Sequence, residues 1–369
     1  MNRKFTIKVA VILCIFVIEG SSEFQITTDE NDQWRPEIYG DIVVWTDGRN
    51  GNVDIYGYNL KTNEEFQITT DEADQRHPAI YKDIVVWVDE RNGNWDIYGY
   101  NLKTNEEFQI TKNTSFQYEP AIYENIVVWV DTRNSSHDIY GYNFETRELF
   151  PIIENQSSQY RPAIYENILV WVDTRNRRLD IYGYNLLTKE EFQITSDKSD
   201  QKFPAIYGNY VVWIDYKNES GDIYAYNLET HKKFPLPTGD AHSYPPAIHS
   251  NIVVWSIFYE GIDGICGYNL DTGQVFQLAE GINSQSDPAT YGDIVVWEDD
   301  RNGNPDIYGC TLSTHPKPSP VYSESLKPTF EKLTRFEDYW LFLIAVGIML
   351  GIVYIYISHQ KRSNTEVPP

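Results

Sequence analysis

Cysteine is scarce in this sequence, with three residues among 369. So low a count does not predict a disulfide framework. Cys14 lies in an apolar run near the N-terminus, so only Cys266 and Cys310 are candidates for a bridge. They occupy different positions of the repeat described below, and a bridge needs Cα atoms within about 7 Å. We therefore expect no disulfide.

Positive charge is also in short supply. Thirty Lys and Arg residues face 54 Asp and Glu residues, for a formal net charge of −24. Binding to phosphates requires a basic stripe or patch, and the sequence has none. The composition thus excludes a nucleic-acid partner. With 41% apolar residues and 28 tyrosines, it is also unlike that of a disordered chain.

The main feature of the sequence is a repeat of 42 residues. A Trp closes an apolar run once in every unit, at Trp45, Trp87, Trp129, Trp171, Trp213, Trp255 and Trp297. A Pro opens each unit in the same register, at Pro36, Pro78, Pro120, Pro162, Pro204, Pro246 and Pro288. Seven units of equal length are typical of a ring of seven blades, so we predict an all-β, seven-bladed β-propeller.

Each unit contains four short β segments, which we name strands A to D. In the second unit these are Pro78–Tyr81, Asp83–Asp89, Asp96–Leu102 and Glu107–Thr111. Strand B is apolar at consecutive positions, so neither of its faces is expected to meet water. A sheet buried on both faces needs a neighbour on each side, which a ring of four-stranded antiparallel blades provides.

The first and last segments of the repeat region are different strands of the unit, which predicts how the ring closes. The first segment after the leader is a lone strand D, Phe24–Thr27, and the last is a strand C, Asp306–Leu312, with no strand D after it. An N-terminal strand that pairs into the last blade would leave no incomplete edge.

Two apolar runs outside the repeat predict the location of the chain. Residues 1–22 resemble a signal peptide, with Arg3 and Lys4 before an apolar run. After the propeller (23–312) and a Pro/Ser-rich stalk (313–338), residues 339–358 are long and apolar enough for one transmembrane helix. Residues 359–369 carry Lys361 and Arg362, which favours a cytoplasmic tail and places the propeller outside the cell. Four sequons lie in predicted loops and would permit glycosylation there: Asn113, Asn134, Asn155 and Asn218.

The repeated polar residues suggest a metal site, but only weakly. Asp47, Asn50, Asn52 and Asp54 place four oxygen-bearing side chains within eight residues, and calcium favours such ligands. The EF-hand pattern fails, however, because it requires a Gly where Asn52 stands. The alternative is that Asn and Gly shape the B–C turn while Asp47 pairs with Arg49 or with a neighbouring blade. We expect no cofactor.

The repeat also offers no catalytic constellation. The histidines lie at different positions of the unit, and no Ser or Cys has a base in register. One Asp repeated around the ring indicates a structural role, so we do not expect an enzyme. The sixth unit departs most, with Ile257, Tyr259, Gly264 and Cys266 in place of the usual Asp, Arg, Asp and Tyr. This is either drift in a tolerant repeat or a functional notch.

The stretch Asp299–Tyr308, with the residues around it, resembles the TolB-like periodic β-propeller repeats of cell-surface proteins from methanogenic archaea. The resemblance covers about residues 23 to 312, and the Gly-His and Trp-Asp markers of WD repeats are missing. It implies an extracytoplasmic binding or envelope protein, and it implies location more firmly than activity.

Comparing the seven units separates a uniform framework from two variable positions. The residue two before the Pro varies, and so does a position in the B–C loop (Val53, Trp95, His137, Leu179, Gly221, Asp263, Pro305). Both loops are expected on one face, which we predict to be a binding surface for an extracellular protein or glycan. The candidate residues are Trp34, Arg76, Trp95, Tyr118, Tyr160 and Tyr244. The alternatives are a scaffold of the cell envelope or an enzyme acting on extracellular polysaccharide or peptide. The oligomeric state is left open.

Overall fold

The computed structural model describes residues 22–217, 221–239 and 242–312. The predicted signal peptide, apart from Ser22, lies outside these residues, as do the predicted stalk, transmembrane helix and tail. Within the described residues, no helix has the length and apolar character needed to cross a membrane.

The described chain forms seven antiparallel sheets, which are the blades of a propeller. The first strand, β1 (Ser22–Gln25), belongs to the last blade. Blade one contains β2 (Gln33–Tyr39), β3 (Ile42–Asp47), β4 (Asp54–Asn59) and β5 (Glu64–Gln67). Blade two contains β6 (Gln75–Tyr81), β7 (Ile84–Asp89), β8 (Asp96–Asn101) and β9 (Glu106–Gln109). Blade three contains β10 (Gln117–Tyr123), β11 (Ile126–Asp131), β12 (Asp138–Asn143) and β13 (Glu148–Ile153).

The remaining blades follow the same order. Blade four contains β14 (Gln159–Tyr165), β15 (Ile168–Asp173), β16 (Asp180–Asn185) and β17 (Glu190–Gln193). Blade five contains β18 (Gln201–Tyr207), β19 (Tyr210–Asp215), β20 (Asp222–Asn227) and β21 (Lys232–Pro235). Blade six contains β22 (His242–Ser243), β23 (Ala247–His249), β24 (Ile252–Tyr259), β25 (Ile262–Asn269) and β26 (Gln274–Gly281). Blade seven contains β27 (Gln285–Tyr291), β28 (Ile294–Asp299), β29 (Asp306–Thr311) and β1.

These sheets confirm the predicted seven-bladed propeller, with one correction. Blade six has five strands because its strand A is divided into β22 and β23, which both pair with β24. Pro245 and Pro246 stand between them, and neither has an N–H group to donate to the ladder.

The predicted closure of the ring is also confirmed. Strand β1 pairs antiparallel with β29, and Ser22 lies opposite Thr311. Beyond the strand, the Ile26 N–H donates to the Ile307 carbonyl oxygen at 2.8 Å. The first and last strands of the repeat region therefore complete one blade.

The core lies between the blades. The seven repeat tryptophans are at most 1% exposed, and four consecutive strand-B positions are buried in most blades. Trp87 packs with Val85 and Tyr98 of its own blade and with Val44 and Ile55 of blade one. The burial of strand B on both faces is thus explained by packing against both neighbours.

The first strands of the blades form the innermost layer. Each of them contacts the first strand of the two neighbouring blades, so the seven strands surround a central channel. These strands determine which side chains line the channel.

Candidate functional site

A bulge in strand A directs one residue toward the channel in six of the seven blades. In blade one, Trp34 pairs with Thr46 and Glu37 with Val44, so Arg35 and Pro36 together stand opposite the single residue Trp45. The residue before the Pro takes a positive φ in six blades, 56° at Arg35 for example. We call the seven residues before the Pro the rim: Arg35, His77, Glu119, Arg161, Phe203, Pro245 and Asp287.

This backbone geometry is costly for residues other than glycine. A positive φ at such a residue costs on the order of 1–3 kcal/mol, and strained residues of this kind cluster at functional sites. The bulge recurs at the same register in blades two, three, four, five and seven. The framework therefore keeps the bulge uniform while the side chain that it presents differs from blade to blade.

All of the rim residues except Asp287 line a cavity of about 270 Å³. Its charged and aromatic lining consists of Arg35, Glu37, His77, Glu119, Arg161 and Phe203. Six prolines form the rest of the wall: Pro78, Pro120, Pro162, Pro204, Pro245 and Pro246. Polar groups of both signs thus meet in one cavity with otherwise apolar walls.

An aromatic belt surrounds the channel at the other end of strand A. Its members are Tyr39, Tyr81, Tyr123, Tyr165, Tyr207, His249 and Tyr291, and the centroids of adjacent rings are 4.3–4.9 Å apart all the way round. Burial, together with Tyr207, raises the pKa of Tyr165 to about 12. The Gly292 N–H donates to His249 Nδ1 at 3.0 Å, and burial lowers the pKa of that imidazole. Both shifts favour the uncharged forms of Tyr165 and His249.

The carboxyl groups at the junction of blades seven and one are unusual. Glu37 stands where the other six blades have Ala, and Glu298 stands where they have Thr, Val, Ile or Ser. Desolvation inside the ring, with the charge of Asp287, raises the pKa of Glu37 to about 7, although this side chain is exposed to the channel, and the same causes raise that of Glu298 to about 7. Glu298 accepts hydrogen bonds from the Arg35 N–H at 2.5 Å and from Ser286 Oγ at 3.1 Å.

The opposite side of the rim is electrostatically balanced. Arg161 Nε lies 3.0 Å from Glu119 Oε1, and the Arg161 N–H donates to Glu119 Oε2 at 2.7 Å. The Arg161 guanidinium also lies 4.8 Å from the centroid of the Phe203 ring. His77 lies between the two sides, and burial together with Arg35 and Arg161 lowers its pKa to about 4. At neutral pH its imidazole is therefore neutral.

The D–A and B–C loops share one face, as predicted. The Gly48 N–H donates to the Asp32 carbonyl oxygen at 3.0 Å, and the Gln75 N–H donates to the Val53 carbonyl oxygen at 2.7 Å. In blades one to four and in blade seven, the B–C loop is held in this way by the D–A connections on both sides.

Three of the six predicted binding residues come together on this face. Trp95 lies edge-on to Phe116 and Tyr118, with centroids at 5.4 and 6.0 Å. Tyr118 Oη is hydrogen-bonded to His137 Nδ1, and the His137 ring lies 4.9 Å from that of Tyr160. We call Trp95, Phe116, Tyr118, His137 and Tyr160 the aromatic strip. Trp95 and Phe116 are 40% and 50% exposed, so the strip presents ring surface to solvent.

The structure does not bring the other three residues into the strip. The Trp34 ring lies beside Gly48 in blade one. Arg76 forms ion pairs with Asp74 and with Glu90. Tyr244 belongs to blade six and is 44% exposed. The face therefore carries one local aromatic group and not a complete aromatic ring.

The residues of the weak calcium motif bond to one another. The Asp47 carboxylate is buried and accepts hydrogen bonds from Trp45 Nε1 at 2.8 Å and from Arg49 Nε at 2.8 Å. The guanidinium carbon of Arg49 lies 4.2 Å from the centroid of the Tyr56 ring. This set of Trp, Asp, Arg and Tyr, which we call the B–C cluster, confirms the predicted Asp47–Arg49 pair. In the described part of the chain, no three His, Cys, Asp or Glu side chains converge as metal ligands.

Blade six replaces the B–C cluster with a longer hairpin. Strands β24 and β25 continue to Tyr259 and Ile262 and join at Glu260 and Gly261, both of which have positive φ. Phe258 and Ile262 are 37% and 42% exposed near its tip. Among the described residues, no group accepts a hydrogen bond from the buried Trp255 Nε1, because Ile257 takes the place of the Asp. Blade six is therefore ordered and structurally distinct, whichever of the two interpretations of its sequence applies.

The variable position predicted from the seven units of the sequence lies one residue before the rim residue. It is the residue two before the Pro, whereas the bulge places the next residue on the channel. The signal was present, because the residue before the Pro changes between basic, acidic, aromatic and apolar types. Glu37 among six alanines was a second signal of the same kind.

No family model and no curated protein matches the sequence. Solved structures do match. An oligogalacturonate lyase from Vibrio parahaemolyticus is 16% identical, with a TM-score of 0.61 over 82% of this chain and 97% of the lyase. TolB from Acinetobacter baumannii is 13% identical, with a TM-score of 0.50 over 68% of this chain and 67% of TolB.

The chain has a TolB-like, seven-bladed propeller fold. A third match agrees: the β-propeller domain of the Trilobed protease from Pyrococcus furiosus, described by its open velcro topology, is 16% identical, with a TM-score of 0.61 over 83% of this chain and 100% of that domain. The expected TolB-like fold is thus confirmed, while the archaeal origin and the cell-surface location stay predictions. The matched TolB-like propellers include enzymes and other proteins, and at these identities the likeness concerns the fold alone.

Proposed function

We propose that this TolB-like propeller is a binding module, held at the cell surface by its C-terminal segment, that presents the loop face to an extracellular protein or glycan. The observation that carries this proposal is the aromatic strip. Trp95 and Phe116 are exposed, and the half-buried rings beside them are fixed by ring contacts and by the Tyr118–His137 hydrogen bond. Aromatic rings held in place supply contact area at little entropic cost, and such residues dominate binding energies.

The position of the strip supports a binding role over a structural one. Its members come from three consecutive blades, whereas the corresponding positions elsewhere differ from blade to blade, with Gly221 and Lys202 as well as the aromatic residues Trp34 and Tyr244. Packing alone would favour the same residue in every blade, as it does for the buried tryptophans. The strip is a local departure from the repeat, and a specific ligand needs a local surface.

Binding of cell-envelope glycans and proteins to the full-length chain tests this proposal. We expect Trp95→Ala and Tyr160→Ala each to weaken binding by about tenfold or more, since a central aromatic contributes about 2 kcal/mol or more. The matched control is Trp34→Ala, which removes a tryptophan from the same face outside the strip. The assignment would be contradicted if all three variants lost binding affinity equally, or if none of them lost any.

An enzymatic function is the second candidate, and one observation favours it. Glu37 and Glu298 break the symmetry of the ring inside the channel, and a carboxyl group with a pKa of about 7 suits general acid–base chemistry. Turnover of a panel of polysaccharides and peptides by the full-length chain, abolished in Glu298→Gln, would establish this candidate. If the wild-type protein turned over no member of the panel, the enzymatic candidate would be rejected and the binding module would remain the proposed function.

A further inference from the structure

The cavity at the rim holds a guanidinium group without a partner. Among the described residues, no carboxylate lies within ion-pair distance of the Arg35 side chain, although the other arginine of the rim, Arg161, is paired with Glu119. Charged groups in enclosed sites are normally paired, because losing water without gaining a partner is costly. Arg35 therefore has a binding capacity that its own blade does not use.

Two carboxyl groups on the same side are also without partners. No hydrogen bond or ion pair to the side chains of Glu37 or Asp287 is found in the described part of the chain, whereas Glu298 is occupied by the Arg35 N–H and by Ser286. Arg35 and Asp287 both act on the pKa of Glu37 and on that of Glu298, and Glu37 lines the cavity while Asp287 lies outside its lining. The raised pKa of Glu37, caused by desolvation inside the ring and by Asp287, shows that Arg35 does not offset this negative charge fully.

The remaining walls offer little competition for a polar ligand. Five of the blades contribute prolines to the cavity wall, and Phe203 contributes an aromatic ring. The neutral His77 adds one polar group. A volume of about 270 Å³ lies just below the range of about 300–1,000 Å³ that holds drug-sized molecules. The cavity therefore suits a small molecule with charges of both signs and a short apolar body.

We propose that the cavity binds a small amino-carboxylic zwitterion, with its carboxylate on the Arg35 guanidinium and its ammonium group on the Glu37 carboxylate, where the charge of Asp287 adds to the attraction. Arg–carboxylate pairing can be bidentate, which fixes the orientation of the ligand. Both of the unpaired charge types in the cavity would be satisfied at once. This site is separate from the aromatic strip, so it goes beyond the proposed binding function of the loop face.

Calorimetric titration of the full-length chain with a series of ω-amino acids tests the proposal. Glycine, β-alanine, 4-aminobutyrate and 6-aminohexanoate differ only in the separation of their two charges. We expect one length to bind best, and to bind about tenfold or more tightly than butylamine or butyrate, each of which carries one charge alone.

Three variants locate the binding. Arg35→Gln and Glu37→Gln should each weaken binding of the best probe by about tenfold or more. Glu37→Ala installs the residue that the other six blades carry, so it is expected to fold and should give the same loss. Lys103→Gln, at an exposed turn of blade two outside the cavity lining, should leave binding unchanged.

Two results would overturn the proposal. The first is the absence of saturable binding by every member of the series, which would mean that Arg35 and Glu37 compensate each other in solution. The second is equal binding of butylamine and 4-aminobutyrate, which would reduce the site to a cation site. Because the aromatic strip is not involved, neither result bears on the Trp95 and Tyr160 variants.

Discussion

The B–C clusters and the channel rim derive from the same repeat but differ in how much they vary. Trp, Asp and Arg form a B–C cluster in blades one, two, three, four and seven, with the Trp Nε1–H bonded to the Asp in each. The rim, by contrast, presents seven residues of six types, and six of these residues lie on a repeated bulge. A cluster that recurs with the same bonds is expected to stabilise the blades. A ring of unlike residues is expected to cost stability and to provide function.

The largest effect should come from breaking a B–C cluster. Asp89 is fully buried and accepts hydrogen bonds from Trp87 Nε1 at 2.9 Å and from Arg91 Nε at 2.8 Å. Asp89→Ala would leave the Trp87 donor buried without a partner, as Trp255 already is in blade six. We expect a loss of about 3 kcal/mol in the free energy of unfolding, measured by urea denaturation.

The control for this variant is Ile257→Ala, at the same register in blade six. Ile257 is half-buried and makes no such polar network, so we expect a loss of about 1 kcal/mol. Equal losses at the two positions would show that the cluster contributes nothing beyond packing.

The second prediction concerns the channel, where we expect a substitution to increase the free energy of unfolding. Burial and Asp287 raise the pKa of Glu298 from 4.5 to about 7. Between these values the folded chain holds its proton more tightly than the unfolded chain, so stability is full below pH 4.5 and falls as the pH rises to 7. Glu298→Gln stays neutral, and we expect it to be more stable than the wild type by about 2 kcal/mol at about pH 8 and equally stable below the lower value.

Glu145→Gln provides the reference for the pH series, because Glu145 is an exposed turn residue of blade three. Unfolding midpoints of the three proteins would be compared across the pH range. A Glu298→Gln curve parallel to that of the wild type would mean that Glu298 does not titrate within this window.

The smallest effect is expected at the tip of the blade-six hairpin. Phe258→Ser and Ile262→Ser alter exposed side chains, so each should change stability by no more than about 0.5 kcal/mol. Ile265→Ala, at a fully buried position of the same hairpin, should cost about 2–4 kcal/mol in the same denaturation experiment. A loss above about 1 kcal/mol at the tip would show that the hairpin packs on the blade and belongs with the framework.

The repeat period was sufficient to predict the blades, the buried strand B and the closing strand, because all three depend on local pattern and phase. It was insufficient for strand A, predicted from Pro78 but observed from Gln75, since a bulge interrupts the alternation of side chains. The same bulge explains why the predicted binding positions missed the rim. The hydrogen bond from the Arg35 backbone N–H to the Glu298 carboxylate could not be predicted from the sequence, because these residues meet only when blade seven packs against blade one.

The pairing of β1 with β29 has a consequence for synthesis. The strand that completes the last blade is made before any blade exists, so its hydrogen-bonding edge has no partner until Asp306–Thr311 has been produced. Thr27 Oγ1 lies 3.1 Å from Asp306 Oδ1 across 279 positions of sequence, and such distant contacts form late and slowly. A nascent chain interrupted in the seventh repeat therefore exposes two unpaired edges at once, which distinguishes an unfinished chain from a finished one.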